Sequence, residues 1–210
     1  MRVGQMTLRP RLVASTAVVF ASMALMFLVP REYFLTAAYF STVCMLLAAI
    51  ALGGYARLFS PRAWTVALGL ASAVGLYAVF FGGNLLIQQL HPLGIGTSSE
   101  SSIYALISSQ GTPIYIQLGL LVSDTLGYES FFRGVLQKRL RDRLGAASPF
   151  AVAAVDAGLH VLTLNPLWVV TTFIVDSFWG LTYHYSRDLS SSMLSHFVWD
   201  AAIFLIFPIR

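Results

Sequence analysis

The chain has 210 residues, 57% of them hydrophobic and 10% charged, with a formal net charge of +4. A soluble domain usually carries about 25% charged residues to wet its surface, so this composition excludes an ordinary soluble globule. The basic residues sit in short loops between apolar runs, which is the distribution of membrane orientation signals rather than of a nucleic-acid surface. Apolar runs of about 20 residues cross the hydrocarbon core as helices, because only a helix satisfies its own backbone groups there. The expected fold is therefore all-α, a polytopic transmembrane bundle of about seven spans.

In chain order, Arg2, Arg9 and Arg11 precede a first predicted span near 12–29. No small-residue cleavage site is evident near Val29-Pro30, so this segment reads as a retained helix rather than a signal peptide. A second span near 33–55 carries Cys44, whose solitude excludes an intramolecular disulfide. A third runs near 63–90. The connection at 91–112 is the only long one; it is rich in Ser and Gly and has no Lys or Arg. Four more spans follow near 113–137, 148–164, 167–185 and 190–207. Pro30, Pro61, Pro92, Pro113, Pro149 and Pro166 all fall at junctions, where a missing backbone donor is tolerated. The chain thus divides into an N-terminal three-span region, 1–112, and a four-span core, 113–210.

Alternating the loops across the bilayer tests this parse. Arg2, Arg9, Arg11, Arg57, Arg62, Lys138, Arg139, Arg141, Arg143 and Arg187 fall on one side, ten of thirteen basic residues. Only Arg31 and Arg210 fall on the other, and Arg133 lies within a span. That asymmetry predicts a multi-pass protein with a cytoplasmic N-terminus.

Ionisable side chains inside spans are expensive and by default suggest function. Asp124, Glu129, Asp156, Asp176, Asp200, His160, His196 and Arg133 lie there, all in the last four spans. His184 falls near a span end. Glu129 and Arg133 are four apart on one helix face, as are Asp156 and His160, and His196 and Asp200. At about 1.5 Å per residue, Glu129, His160, His196 and Asp200 lie roughly 9–18 Å from the predicted cytoplasmic helix ends. Such a set can hold and polarise a water or bind a metal. Each pair also has a structural reading: Glu129 and Arg133 as mutual neutralisation, the histidines as interhelical hydrogen bonds. Asp124 and Asp176 receive no role.

Tyr128-Glu129-Ser130-Phe131-Phe132-Arg133-Gly134 resembles the first motif of the CPBP family, the CAAX prenyl protease and bacteriocin-processing (Abi) intramembrane proteases. Asp156 to His160 matches the position of the second motif, and His196 with Asp200 the third. Trp179 to Tyr185 is similar to the family's lead-in to its last helix. The resemblance, over about 113–205, implies an intramembrane endopeptidase. A first-motif glutamate and His160 would activate water, His196 and Asp200 would face the oxyanion, and Arg133 would hold Glu129. It implies a membrane-associated peptide or protein substrate, with prenylated C-termini among the candidates; the placement of the basic residues in short loops argues against nucleic acid.

Two residues depart from the family pattern. Tyr128 stands where the family's general-base glutamate is found, and Asp156 where a phenylalanine is found. Either Glu129 is the base, or Asp156 replaces the lost carboxylate from the neighbouring helix. The alternative is a catalytically inactive relative that binds membrane peptides or partners. A proton or ion carrier is a third reading, without broken-helix repeats to support it. No His-Glu-x-x-His helix is present, so no cofactor is expected, and zinc through His160, His196 and acidic neighbours is not compelled.

Overall fold

The computed structural model describes residues 10–53, 60–90 and 113–209. The 91–112 connection, Arg2, Arg9, Arg57 and Arg210, and the boundary set at 112, lie outside the described residues. No strand occurs among the described residues. Helix α1 spans Pro10–Leu28, α2 Phe34–Ala51 and α3 Ala63–Leu90. Helix α4 spans Ile114–Phe131, runs through a π-helical turn at Phe132–Gln137, and continues as α5, Lys138–Leu144. Helix α6 spans Ser148–His160, α7 Pro166–Ser186 and α8 Leu189–Ala201, the last ending in a second π-helical turn at Ala202–Ile206.

Every expected span therefore appears as a helix. Among the described residues, five stretches are long and apolar enough to cross a membrane: Pro10–Leu28, Arg31–Ala51, Ala63–Gln89, Ile114–Thr163 and Leu189–Ile206. The difference from seven has a physical reason. The fourth stretch contains both α4 and α6, joined with only a reversal at Gly145, whose φ is +53°. Helix α7 carries Asp176 and His184 among its apolar residues and falls outside these five. The chain is a multi-pass membrane protein.

Polarity is distributed as a bilayer demands. Large apolar side chains cover the outside: Val74 is 68% exposed and Leu86 69%. A water-facing surface would not sustain so many. The interior instead holds Ser22, Ser41, Thr42, Thr65, Ser191, Ser192 and Ser195, all buried. Small residues let helix backbones approach, which is how helices associate in lipid. A Cβ on Gly127 would sit 2.8 Å from the Thr42 carbonyl oxygen, and one on Gly69 2.6 Å from that of Ser191. These contacts seat α4 on α2 and α3 on α8.

Two caps fix where the site helices start. Asn165 Oδ1 accepts from the Leu167 and Trp168 N–H groups, and Pro166 occupies the first turn of α7. Asp188 Oδ1 accepts from Ser190 N–H at the start of α8 and from Ser60 N–H at 3.1 Å, and Oδ2 accepts from Thr65 Oγ1 at 3.0 Å. One carboxylate thereby ties the entry of α3 to that of α8.

Candidate active site

Helix α6 has 13 residues, hence about 20 Å of length against a hydrocarbon core of about 30 Å. It stops inside the bundle at His160, and a 3-10 turn at Val161–Thr163 follows. Freed backbone carbonyls at membrane depth need partners, which here are local. Thr163 Oγ1 donates to His160 O at 2.7 Å. His160 Nδ1 lies 3.0 Å from Asp156 O. A carbonyl only accepts, so Nδ1 carries a proton, and in the neutral ring Nε2 keeps its lone pair. Phe27 and Trp168 flank the ring, at centroid distances of 4.8 and 5.8 Å.

On α4, Tyr128 points its hydroxyl between two carboxylates, at 2.5 Å from Asp156 Oδ2 and 2.8 Å from Asp176 Oδ1. Asp176 Oδ1 also pairs with the Arg133 guanidinium. Arg133 is fully buried; its Nε faces Glu129 Oε2 at 3.5 Å and its NH1 donates to Gln137 Oε1 at 3.3 Å. Gln137 in turn donates to Gly180 O at 2.7 Å. The π-helical turn begins directly after Phe131, widening the helix where Arg133 and Gln137 reach towards α7. Insertions of this kind recur at functional sites.

From α8, His196 Nδ1 sits 3.0 Å from Glu129 Oε1, and Nε2 3.3 Å from Asp200 Oδ2. Trp179 of α7 stacks on the ring, with centroids 3.6 Å apart and planes 13° from parallel. Asp124, one turn before Tyr128, accepts from Thr42 Oγ1 at 3.0 Å. Donor atoms of Asp124, His196 and Asp200 all lie within 4.8 Å of one another, close enough to share a cation.

A cavity of ≈ 560 Å³ opens onto these groups. Asp124, Tyr128, Asp156, His160, His196 and Asp200 line it, with apolar walls that include Leu86, Ile87, Trp168 and Phe204. Of the six residues singled out from sequence, Asp156, His160, His196 and Asp200 face this space. Glu129 and Arg133 do not; they lie behind His196 and Tyr128, fully buried. Glu129 therefore contacts the imidazole rather than the cavity. Asp124 and Asp176, given no role from sequence, both join the site. For Asp124 a signal existed, since it precedes Tyr128 by four residues on one face. Asp176 offered none beyond being an intramembrane carboxylate, because its partners are 43 and 48 residues away.

Residues 110–202 match the family described as Type II CAAX prenyl endopeptidase Rce1-like. Every carboxylate and histidine of the site lies within that stretch. No curated protein and no solved structure matches the chain.

Proposed function

We propose that this chain, which is similar over residues 110–202 to the Type II CAAX prenyl endopeptidase Rce1-like family, is an intramembrane endopeptidase. The observation carrying this reading is the 2.5 Å hydrogen bond between Tyr128 and Asp156 in the wall of the cavity that His160 also lines. Where the family's glutamate would stand on α4, this chain has a tyrosine whose hydroxyl reaches a carboxylate supplied by α6. The loss and the gain meet in space, which supports Asp156 as the replacement for the missing group.

In the proposed reaction a water lies against His160 Nε2 and the Asp156 carboxylate. As its oxygen attacks the scissile carbonyl, Nε2 takes the proton, while Nδ1–H stays on the Asp156 carbonyl and holds the tautomer. The new oxyanion faces the His196 and Asp200 wall. His160 then returns the proton to the leaving amine, and the two peptide ends separate. Glu129 acts as a positioning residue for His196, and Arg133 keeps Glu129 and Asp176 compensated.

The substrate is a membrane-associated peptide or protein, and the apolar walls suit segments bearing a prenyl or similar chain. Residues 113–210 act as the catalytic core and the first three spans as its support, with the N-terminus on the cytoplasmic side. Purified protein in detergent with a peptide library tests the reading. His160→Ala is expected to lower cleavage by about 10²–10⁴-fold, the usual contribution of a general base, and Asp156→Asn to lower it by weakening the hold on the water. Cleavage that persists in both His160→Ala and His196→Ala removes the proposal.

A non-catalytic relative is favoured by one feature, the tyrosine at the general-base position. Activity that arises in Tyr128→Glu and is absent from the parent decides for that second reading.

A further inference from the structure

Four arginines at one end of the bundle make no ion pair among the described residues. Arg62 precedes α3, Arg141 and Arg143 lie on α5, and Arg187 follows α7; Arg141 is half-buried and the others are exposed. The fold draws them together from separate segments. Arg139 donates to the Leu52 backbone oxygen at 3.2 Å and so pins α5 against the end of α2. Arg141 and Arg187 both act electrostatically on Tyr183 and His184, in the last turn of α7. Arg62 joins the same corner through Asp188: its N–H donates to Thr65 Oγ1 at 2.9 Å, and that hydroxyl donates to the Asp188 carboxylate.

The nearby acids do not cancel this charge. Asp188 is buried, and its oxygens already accept from Ser60, Ser190 and Thr65. Asp142 stands between Arg141 and Arg143, where successive side chains of a helix point apart, and it pairs with neither. An orientation signal requires basic residues in loops, and it does not require three segments to converge. Arg187 also holds a left-handed backbone, with φ at +58°, where a glycine would end the helix without strain.

We propose that the rim carrying Arg62, Arg141, Arg143 and Arg187 binds the headgroups of anionic phospholipids, with the Arg141 and Arg187 pair at its centre. The guanidinium fork matches phosphate oxygens two at a time. His184 adds an imidazole beside that pair, and its Nδ1 has no hydrogen-bond partner among the described residues. Lipid is the occupant because the neighbouring surface is built for the membrane interface. Trp64 is 49% exposed and Tyr185 72%, in the first turn of α3 and the last turn of α7, where aromatic rings settle between headgroups and hydrocarbon. The orientation drawn from loop charge sets this rim at the cytoplasmic leaflet, whose surface is negative. The rim lies outside the cavity, and binding there is independent of the proteolytic reading.

Full-length protein in a neutral detergent is mixed with phosphatidylglycerol or with phosphatidylcholine of the same acyl chains, and retained lipid is counted by native mass spectrometry. Phosphatidylglycerol should be retained over phosphatidylcholine. Arg141→Gln and Arg187→Gln should each weaken its binding by about fivefold, the effect of one basic residue at an anionic surface. Arg31→Gln, at the other end of α2, should bind as the parent does. Arg187→Gly separates binding from folding: it should melt no lower than the parent and still lose lipid. Equal retention of the two lipids by the parent overturns the proposal, as does undiminished phosphatidylglycerol binding in a well-folded Arg141→Gln, Arg187→Gly double variant. Displacement of the lipid by inorganic phosphate at comparable concentration assigns the arginines to free anions and also overturns it. No readout involves cleavage, so a chain without proteolytic activity that retains phosphatidylglycerol loses the protease reading and keeps this surface.

Discussion

Arg133 is the residue on which the buried charges depend. It has no exposure, faces Glu129 and Asp176 together, and reaches Gln137 through NH1. The planar guanidinium holds five donors in a fixed fork, which lets one charge face these three groups at once. Arg133→Met leaves two carboxylates uncompensated and should lower stability by about 3–5 kcal/mol, read from denaturant unfolding in detergent. Arg133→Lys, which keeps the charge and loses the fork, should recover part of that. Sequence spacing made the Glu129 pairing legible, since the two are one turn apart. The pairing with Asp176 was not, because tertiary packing alone brings α7 beside the π-helical turn.

Asp188 offers a pH-dependent test at the same scale. Burial pushes its carboxyl up, but the N–H of Ser60, the N–H of Ser190 and the hydroxyl of Thr65 outweigh that and hold it below its ordinary value of 3.8. With the folded-state value depressed, the stabilisation is fully present above the unfolded value and is lost as pH falls through the folded one. Asp188→Ala should therefore cost about 1 kcal/mol at pH 7. Thermal melts at descending pH should show the difference from the parent shrinking only below about pH 4.

Between elements, close approach decides stability. A methyl on Gly69 meets the backbone oxygen of Ser191 on α8, which cannot turn aside, whereas one on Gly82 in the same helix meets nothing within 4 Å. Gly69→Ala should cost about 1–3 kcal/mol by forcing α3 off α8. Gly82→Ala should be neutral or stabilising by up to about 1 kcal/mol through helix propensity. Unfolding midpoints of the pair in one detergent separate these outcomes. Helix positions were legible because apolar run length and proline placement determine them. The π-helical turns at Phe132–Gln137 and Ala202–Ile206 were not, since an inserted residue leaves composition unchanged. The early stop of α6 was also hidden, because Val161 and Leu162 continue the apolar run past the helix end.

Over the whole molecule, composition announces the bilayer and the scarcity of charge in the interior announces the site. Which charges face the cavity depends on helix rotation, and that is why Glu129 came out behind His196. The proposed orientation follows from loop charge and makes a separable prediction. In a Cys44→Ser background, Asp142→Cys and Arg187→Cys should react with an impermeant thiol reagent from one side of sealed vesicles, and Glu32→Cys from the other. All three positions are exposed. Reaction of all three from one side would discard the seven-span parse.

Because α6 ends after 13 residues, the depth of its terminal imidazole is set by the chain and not by the lipid around it. The protein then acts as a fixed gauge within a layer of variable thickness. Under the proteolytic reading, a substrate is selected by where its susceptible bond floats relative to that gauge. The same peptide would be presented differently in thin and thick membranes, with no change in any residue that touches it.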